Sequence, residues 1–173
     1  MSHSLSRRDA LLLPLLGGLF WEAGGGVAWA GQGVGSAAAE IALPDTNGTT
    51  VRLSSFRGKV VVIDFFASWC EPCMRELPEL EKLHRQLSKA GVVFLGVNLD
   101  KERKNALALI QRFGLTFPTL LDPEGKLAET YDPPKMPSTY VVDKAGVVRH
   151  INAGFDGAAD VARLQKQITA LNQ

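Results

Sequence analysis

The chain has 173 residues, of which 46% are hydrophobic and 21% are charged, and its formal net charge is +1. This length fits one domain with a short appendage, and the composition excludes a disordered chain and a multi-span membrane protein. The balanced charge argues against nucleic-acid binding, which needs clustered Lys and Arg. Cys70 and Cys73 are too close together to form a disulfide framework, and so short a bridge would stabilise the fold weakly. They therefore indicate metal binding or redox chemistry.

Residues 1–30 contain the three parts of a secretory signal. Arg7 and Arg8 come first, an apolar run spans residues 10–20, and Ala28-Trp29-Ala30 supplies an A-x-A cleavage site. The paired arginines resemble a bacterial twin-arginine signal. The apolar run is too short to cross a bilayer, which needs roughly 20 residues. We expect cleavage after Ala30 and a periplasmic mature protein, with an uncleaved tether to the inner membrane as the alternative.

The mature chain divides into a lead-in and one folded domain. Residues 31–39 are rich in Gly and Ala and predict a flexible lead-in, whereas residues 40–173 predict the domain. Near its start, Asn47-Gly48 between two apolar stretches predicts a β-hairpin, and the serines that follow predict a helical turn. Residues 59–66 are mainly β-branched and apolar, which predicts a strand buried on both faces.

Helices and strands alternate through the rest of the domain. Leucines at spacings of three and four predict a helix from Cys70 towards Gly91, with Glu81 and Arg85 paired on its solvent side and His84 on its polar side. The remaining patterns predict strands over 92–99, 117–121, 138–142 and 146–151, and helices over 101–113, 124–131 and 157–171. This order predicts an α/β sandwich with a mixed sheet.

The segment Trp69-Cys70-Glu71-Pro72-Cys73 lies where a buried strand is followed by a helix. Free backbone N–H groups and the helix dipole stabilise a thiolate at Cys70, and the thiolate is the reactive form of cysteine. The spacing places Cys73 one turn further on, on the apolar side of the helix. Pro72 suits the first turn because its missing N–H loses no partner. The motif predicts an exposed nucleophile, Cys70, with a sheltered resolving thiol, Cys73, behind it.

Three other interpretations of the cysteines are weaker. A structural zinc site needs four ligands, and the chain has no second C-x-x-C. Inert packing is a second alternative. Copper binding by Cys70, Cys73 and His150 is a third, because soft thiolates suit Cu(I), but Pro72 between the cysteines suits redox chemistry better.

Residues 63–73, read as Ile-Asp-Phe-Phe-Ala-Ser-Trp-Cys-Glu-Pro-Cys, resemble the active-site segment of the thioredoxin superfamily. Leu43-Pro44-Asp45, Phe56-Arg57-Gly58-Lys59 and Glu76-Leu77-Pro78 resemble the TlpA/ResA-like branch, whose members are extracytoplasmic thiol–disulfide oxidoreductases. The resemblance extends over residues 40–172. It implies a thioredoxin-like three-layer sandwich with a mixed central sheet, helices on both faces, an N-terminal β-hairpin, and a central insertion at 117–131.

By the same resemblance, Met136-Pro137-Ser138-Thr139 matches the loop in which a cis-proline faces the cysteines. The backbone of Met136 would then be free to pair with an extended substrate segment. Trp69, Met136 and Pro137 are therefore the candidate substrate-binding residues. A plain turn in a Pro-rich loop is the alternative.

Two acidic residues are candidate catalytic groups. Asp64 interrupts the apolar strand before Cys70, and burial there would raise the pKa of its carboxyl, so that it could exchange a proton with Cys73. Thioredoxins carry an acid at the matching position, and the TlpA/ResA-like branch carries one at the position of Glu76. A solvated strand end for Asp64 and plain helix-surface charge for Glu76 are the alternatives. The lysine that thioredoxins place beside the buried acid is replaced here by Gly96.

Glu71 and Pro72 lie between the cysteines and are the candidate tuning residues. Glu71 places a negative charge beside Cys70 and opposes the effect of the helix dipole. Strong oxidants have a very stable reduced thiolate, so we expect a reductant. A reductant in the oxidising periplasm needs a membrane electron donor and dedicated clients. The resemblance suggests the haem-site cysteines of apocytochrome c or cysteines of copper-protein assembly factors as clients.

The resemblance implies protein thiols and disulfides as substrates, a monomer, and no cofactor, metal or nucleic acid. A thiol peroxidase is a further alternative, because residues 43–59 also resemble peroxiredoxins. However, residues 66–70 lack both the Pro and the Thr that precede a peroxidatic cysteine.

Overall fold

The computed structural model describes residues 31–173, and the predicted signal peptide at 1–30 lies outside these described residues. The strands are β1 (Ala42–Pro44), β2 (Thr50–Arg52), β3 (Val61–Phe66), β4 (Val93–Asn98), β5 (Thr119–Leu121), β6 (Ser138–Val142) and β7 (Val148–Ala153). The helices are α1 (Glu71–Leu87), α2 (Arg103–Phe113), α3 (Lys126–Tyr131) and α4 (Ala158–Asn172), with 3₁₀ turns at Leu53–Phe56 and Ser88–Ala90. None of the helices within 31–173 has the length and apolar character needed to cross a membrane.

The predicted α/β order is confirmed, and five strands form one mixed sheet in the order β5-β4-β3-β6-β7. Strands β3, β4 and β5 run parallel, because helices α1 and α2 carry the chain back between them. Strands β6 and β7 are joined by a hairpin and run antiparallel. The predicted central insertion supplies β5 and α3. This is the thioredoxin-like architecture that the sequence predicts.

Strand β3 lies at the centre of the sheet and is buried on both faces, as predicted. Val62 and Phe66 face a core that also holds both cysteines and the apolar stripes of α1, α2 and α4. Ile63 and Phe65 face a second core beneath α3 and the N-terminal hairpin. Because side chains alternate along a strand, Asp64 lies on the same face as Val62 and Phe66, the face covered by α1.

The lead-in at 31–39 differs from the flexible segment that the sequence predicts. The Gly35 N–H donates to the Val148 carbonyl at 2.8 Å, and the Ala38 N–H donates to the Gly146 carbonyl at 2.9 Å. The segment therefore runs beside the start of β7 and pairs with the edge of the sheet. The prediction failed because small Gly and Ala side chains let the backbone of the lead-in approach the unpaired backbone groups at the sheet edge.

Helix α1 carries the predicted leucine stripe, but two of its polar residues lie elsewhere than expected. Glu81 is paired with Arg85 at 2.6 Å, as predicted. Its side chain is nevertheless buried, and its carboxylate also accepts a hydrogen bond from the N–H of Thr116 at 2.8 Å. His84 does not lie on a polar side, since its ring packs edge-on against Phe94 and Phe117. The segment before β5 covers this side of α1, and the helical period alone did not reveal that cover.

Gly96 on β4 is paired with Asp64 on β3, so no lysine stands beside the buried acid. A Cβ at position 96 would lie 2.8 Å from Phe66 Cε1 and 2.9 Å from Phe117 Cε2. Both rings belong to the core, where packing is tight. The absence of a side chain at 96 is therefore required by the two phenylalanines.

We predict that Gly96→Ala destabilises the oxidised protein by about 1–3 kcal/mol, because the added methyl overpacks the core. Gly33→Ala is the matched control, since a Cβ there meets no atom within 4 Å. That substitution should change the free energy of unfolding by no more than about 0.5 kcal/mol. Urea denaturation of both variants measures the difference, and equal stabilities would contradict the packing argument.

Candidate active site

Cys70 and Cys73 form a disulfide at the start of α1, with their Cα atoms 5.3 Å apart. Cys70 is the N-cap of the helix, and the Cys73 N–H points at its sulfur at 3.3 Å. Cys70 is 4% exposed and Cys73 is fully covered, so Cys70 is the outer sulfur. The prediction of an exposed nucleophile at Cys70 is wrong for this oxidised form, because the start of α1 packs the sulfur against the core. Trp69 precedes them and is 66% exposed. The local order of exposed ring, outer sulfur and inner sulfur follows from a buried strand feeding directly into a helix.

The loop that presents Trp69 is held from the neighbouring strand. Asp100 accepts from the Ser68 backbone N–H at 3.0 Å, from the Ser68 hydroxyl at 2.6 Å, and from the Asn98 amide at 2.8 Å. Asp100 and Asn98 are both buried. The sequence analysis missed these residues, although polar side chains at the carboxyl end of a buried strand were a usable signal. They fix the backbone immediately before the disulfide.

The Met136–Pro137 peptide is cis, as predicted. The Pro137 carbonyl accepts from the Gly154 N–H at 2.7 Å, which ties the loop to the end of β7. Met136 packs against the core cluster that contains both cysteines. Within residues 31–173 its backbone N–H and carbonyl make no hydrogen bond. The loop therefore offers a free donor and a free acceptor near the disulfide.

Asp64 lies at the middle of β3 and is 3% exposed. The alternative of a solvated strand end is therefore wrong. Burial raises the pKa of the Asp64 carboxyl well above its usual range, the negative charge of Glu76 raises it further, and a hydrogen bond from Thr139 opposes the rise. Asp64 is thus a buried acid on the α1 face of the sheet, which the sequence predicted.

Glu76 is one turn past Cys73 and is 5% exposed, so it is not plain helix-surface charge. Burial raises the pKa of Glu76 to about 7, with a further contribution from the negative charge of Asp160, and the Thr139 hydrogen bond opposes the shift. The hydroxyl of Thr139 lies 3.2 Å from one oxygen of each carboxyl. Thr139 was predicted only as part of the cis-proline loop, because its contact with the two acids depends on the strand register that pairs it with Asp64.

Glu71 is exposed and forms an ion pair with Arg75, whose Nη1 lies 2.7 Å from the carboxylate. Arg75 offsets part of the negative charge that Glu71 brings to Cys70. Pro72 occupies the first turn of α1, as expected. Within residues 31–173, no three His, Cys, Asp or Glu side chains are grouped as metal ligands would be. The reactive groups that the structure brings to this face are the two sulfurs and the two buried carboxyls.

The AhpC/TSA family matches residues 34–151 of the chain. The thiol-disulfide oxidoreductase ResA of Geobacillus kaustophilus is 37% identical over 130 residues, which cover 75% of either chain. ResA of Bacillus subtilis is 31% identical over 120 residues, covering 69% of this chain and 67% of its own. Among solved structures, a Chlorobium tepidum protein assigned as thiol:disulfide interchange protein DsbE superposes with a TM-score of 0.77 at 32% identity. That superposition covers 82% of this chain and 99% of the other.

We predict that Glu76→Gln removes a pH dependence of stability in the oxidised protein. Glu76 ionises near pH 4.5 in a solvated chain and near 7 in the fold, so between these values the folded state binds more protons. The stabilisation from Glu76 is complete below pH 4.5 and is lost as the pH rises towards 7. Such a shift corresponds to roughly 3 kcal/mol. Urea denaturation across this range measures it.

Glu79→Gln is the matched control, because Glu79 is on the same helix in a surface ion pair with Lys82. The control should keep the fall in stability with rising pH. An equal fall in the Glu76→Gln variant would contradict the assignment of a raised pKa to Glu76.

Proposed function

The chain belongs to the AhpC/TSA family of thioredoxin-fold proteins and is a protein-disulfide oxidoreductase, and from this premise we propose that it acts in the periplasm as a reductant of protein disulfides. The observation that carries the proposal is the Cys70–Cys73 pair at the start of α1, with buried carboxyls on the same face. Cys70, Cys73, Asp64 and Glu76 are the proposed catalytic residues.

The reaction begins with the reduced enzyme. The Cys70 thiolate attacks one sulfur of a client disulfide, forms a mixed disulfide, and displaces the other client sulfur as a thiolate. Cys73 then attacks the Cys70 sulfur, closes the enzyme disulfide, and releases the second client thiol. Two electrons pass from the enzyme to the client, and the enzyme ends in the disulfide form described above.

Two opposing effects set the direction of electron flow. Helix dipole and N-cap position stabilise the Cys70 thiolate and favour the reduced form. Glu71 opposes them, but Arg75 neutralises part of its charge, so Glu71 alone is weaker support than the sequence suggested. Buried Asp64 and Glu76 add negative charge on the face that holds Cys73 whenever they ionise, which destabilises a thiolate there. This second effect supports a reductant.

The surface around the sulfurs suits an extended client segment. Met136 offers a free backbone donor and acceptor, so a client strand could add there by β-augmentation. Trp69 precedes Cys70 in the chain and presents an exposed ring, which could cover apolar side chains of a client. We propose Trp69, Met136 and Pro137 as the substrate-binding residues and Glu71 and Pro72 as the residues that tune the potential.

The proposed cellular setting follows from the leader. Residues 1–30 would direct export and be removed after Ala30, or would remain as a tether. In the oxidising periplasm, a membrane electron donor would have to reduce the enzyme disulfide again. Haem-site cysteines of apocytochrome c or cysteines of copper-protein assembly factors are the proposed clients, and the protein is proposed to act as a monomer.

We predict that reduced Cys73→Ser retains a stable mixed disulfide after mixing with oxidised glutathione, because no second thiol can release it. The wild type should pass to its internal disulfide and retain no adduct. Cys70→Ser should react at least tenfold more slowly, since its remaining sulfur is fully covered. Mass spectrometry of the intact chain counts the adducts without ambiguity, because the chain has only 2 Cys. A faster reaction of Cys70→Ser would overturn the order of attack.

We also predict a midpoint potential closer to that of thioredoxin, about −270 mV, than to that of the strong oxidant DsbA, about −120 mV. Equilibration in glutathione redox buffers, followed by alkylation and mass analysis, measures it. A value near −120 mV would overturn the reductant assignment but leave thiol–disulfide exchange intact. Oxidation by peroxide at a rate far above that by disulfides would instead favour the thiol peroxidase alternative. Tight Cu(I) binding would favour the copper module.

A further inference from the structure

Thr139 bridges the two buried carboxyls. Its hydroxyl oxygen lies 3.2 Å from Asp64 Oδ1 and 3.2 Å from Glu76 Oε1. The three side chains come from β6, β3 and α1 and are all buried. The second oxygens of both carboxyls, Oδ2 and Oε2, have no hydrogen-bond partner within residues 31–173. Thr139 is therefore the donor that the two acids share.

A hydroxyl has one proton to donate, and this limits the charge that the pair can carry. If both carboxyls are ionised, Thr139 can satisfy only one of them, and two negative charges face each other in a buried site. If one carboxyl is protonated, it donates to Thr139, which in turn donates to the ionised partner. The chain of hydrogen bonds is continuous with one proton in the pair and is broken when both carboxyls are ionised.

We propose that Thr139 is a positioning residue that makes Asp64 and Glu76 share one proton, and that this pair carries the proton of Cys73 to solvent during disulfide exchange. The transfer of the Cys73 proton rests on the proposed function. The shared proton between Asp64 and Glu76 is a property of the protein without a client and does not depend on that function.

The surroundings of the pair supply an exit. Glu76 and Thr139 line a pocket between α1, β7 and α4, together with Asn152, Phe155 and Asp160, whereas Asp64 lies behind them. Protons that reach Glu76 can therefore leave through this pocket. Asp64 is the inner member and lies on the same face as the core cluster that contains Cys73.

The other charged and titratable groups on this face are few. From α4, Asp160 faces Glu76 and is itself paired with Arg163. From α1, Glu79 lines the pocket and is paired with Lys82. From β7, His150 lies two residues before Asn152 and therefore on the same face of the sheet. Among these neighbours no cation is in direct contact with Asp64 or Glu76, so the charge of the pair is balanced by its own proton.

The transfer proceeds from the mixed disulfide between Cys70 and the client. The shared proton first passes from Asp64 through the Thr139 hydroxyl to Glu76, and the Asp64 carboxylate then takes the proton of the Cys73 thiol. The Cys73 sulfur attacks the Cys70 sulfur, so that the Cys70–Cys73 bond forms and the Cys70–client bond breaks. The client sulfur leaves with the electron pair and takes a proton from water. Glu76 then releases its proton into the pocket, and the pair returns to one proton.

Infrared titration of the oxidised full chain tests the shared proton, because a protonated carboxyl and a carboxylate have separate bands. In Thr139→Val the ionised member loses its donor, so the first ionisation of the pair should move to higher pH by about one unit or more. Thr139→Ser keeps the hydroxyl and should titrate as the wild type does. A Thr139→Val titration identical to the wild type would overturn the proposal.

A second measurement decides the matter even if Thr139→Val does not fold. Glu76→Gln should lower the pH at which Asp64 ionises, because it removes the negative charge that raises the pKa of Asp64. An unchanged titration of Asp64 in Glu76→Gln would overturn the shared proton. With this coupling present, an unshifted pH profile for oxidation of reduced Thr139→Val by glutathione disulfide would overturn the relay from Cys73. Failure of the wild type to exchange disulfides would overturn the proposed function and leave the titration result unchanged.

Discussion

A carboxylate in the middle of a strand that is covered on both faces is the constraint around which this site is organised. Asp64 has no lysine beside it on β4, because Phe66 and Phe117 occupy the space that a side chain at 96 would need. The hydrogen bond to the Asp64 carboxyl comes instead from β6, the other neighbouring strand, where the register places Thr139 opposite Asp64. Glu76 uses the same hydroxyl from the helix above. The buried Asp64 therefore depends on Thr139 for its hydrogen bond, and Glu76 from α1 depends on the same hydroxyl.

The two sulfurs and the two carboxyls divide the chemistry between an outer and an inner layer. Cys70 and Trp69 lie at the surface end of the strand-to-helix junction, where backbone N–H groups stabilise negative charge. Cys73, Glu76 and Asp64 lie deeper, where low polarity disfavours charge. The outer thiol is thereby activated for attack although it is largely buried, whereas the inner thiol loses its proton only to a neighbouring acceptor.

Much of this arrangement follows from local sequence pattern. The β-branched run before the cysteines, the leucine stripe of α1 and the turn residues predicted most elements, and the motif predicted the redox-active cysteine pair. The cis-proline loop was implied only by the family resemblance. The contacts that depend on register were not accessible, because no local pattern pairs Thr139 with Asp64 or places Asp100 beneath Ser68. The burial of Glu81 could not be predicted for the same reason, since the residue that contacts it, Thr116, lies 35 positions further along the chain.

The docked lead-in has a consequence for how the protein meets unfolded chains. It occupies part of the outer edge of β7, and on the opposite side the loop after β1 occupies part of the edge of β5, where the Thr46 N–H donates to the Thr119 carbonyl. Both edges of the sheet are thus covered in part, which reduces the backbone that another chain could pair with there. The backbone groups of Met136 near the disulfide, in contrast, remain without a hydrogen bond within residues 31–173, so strand pairing by an extended substrate segment is directed to the site of the chemistry.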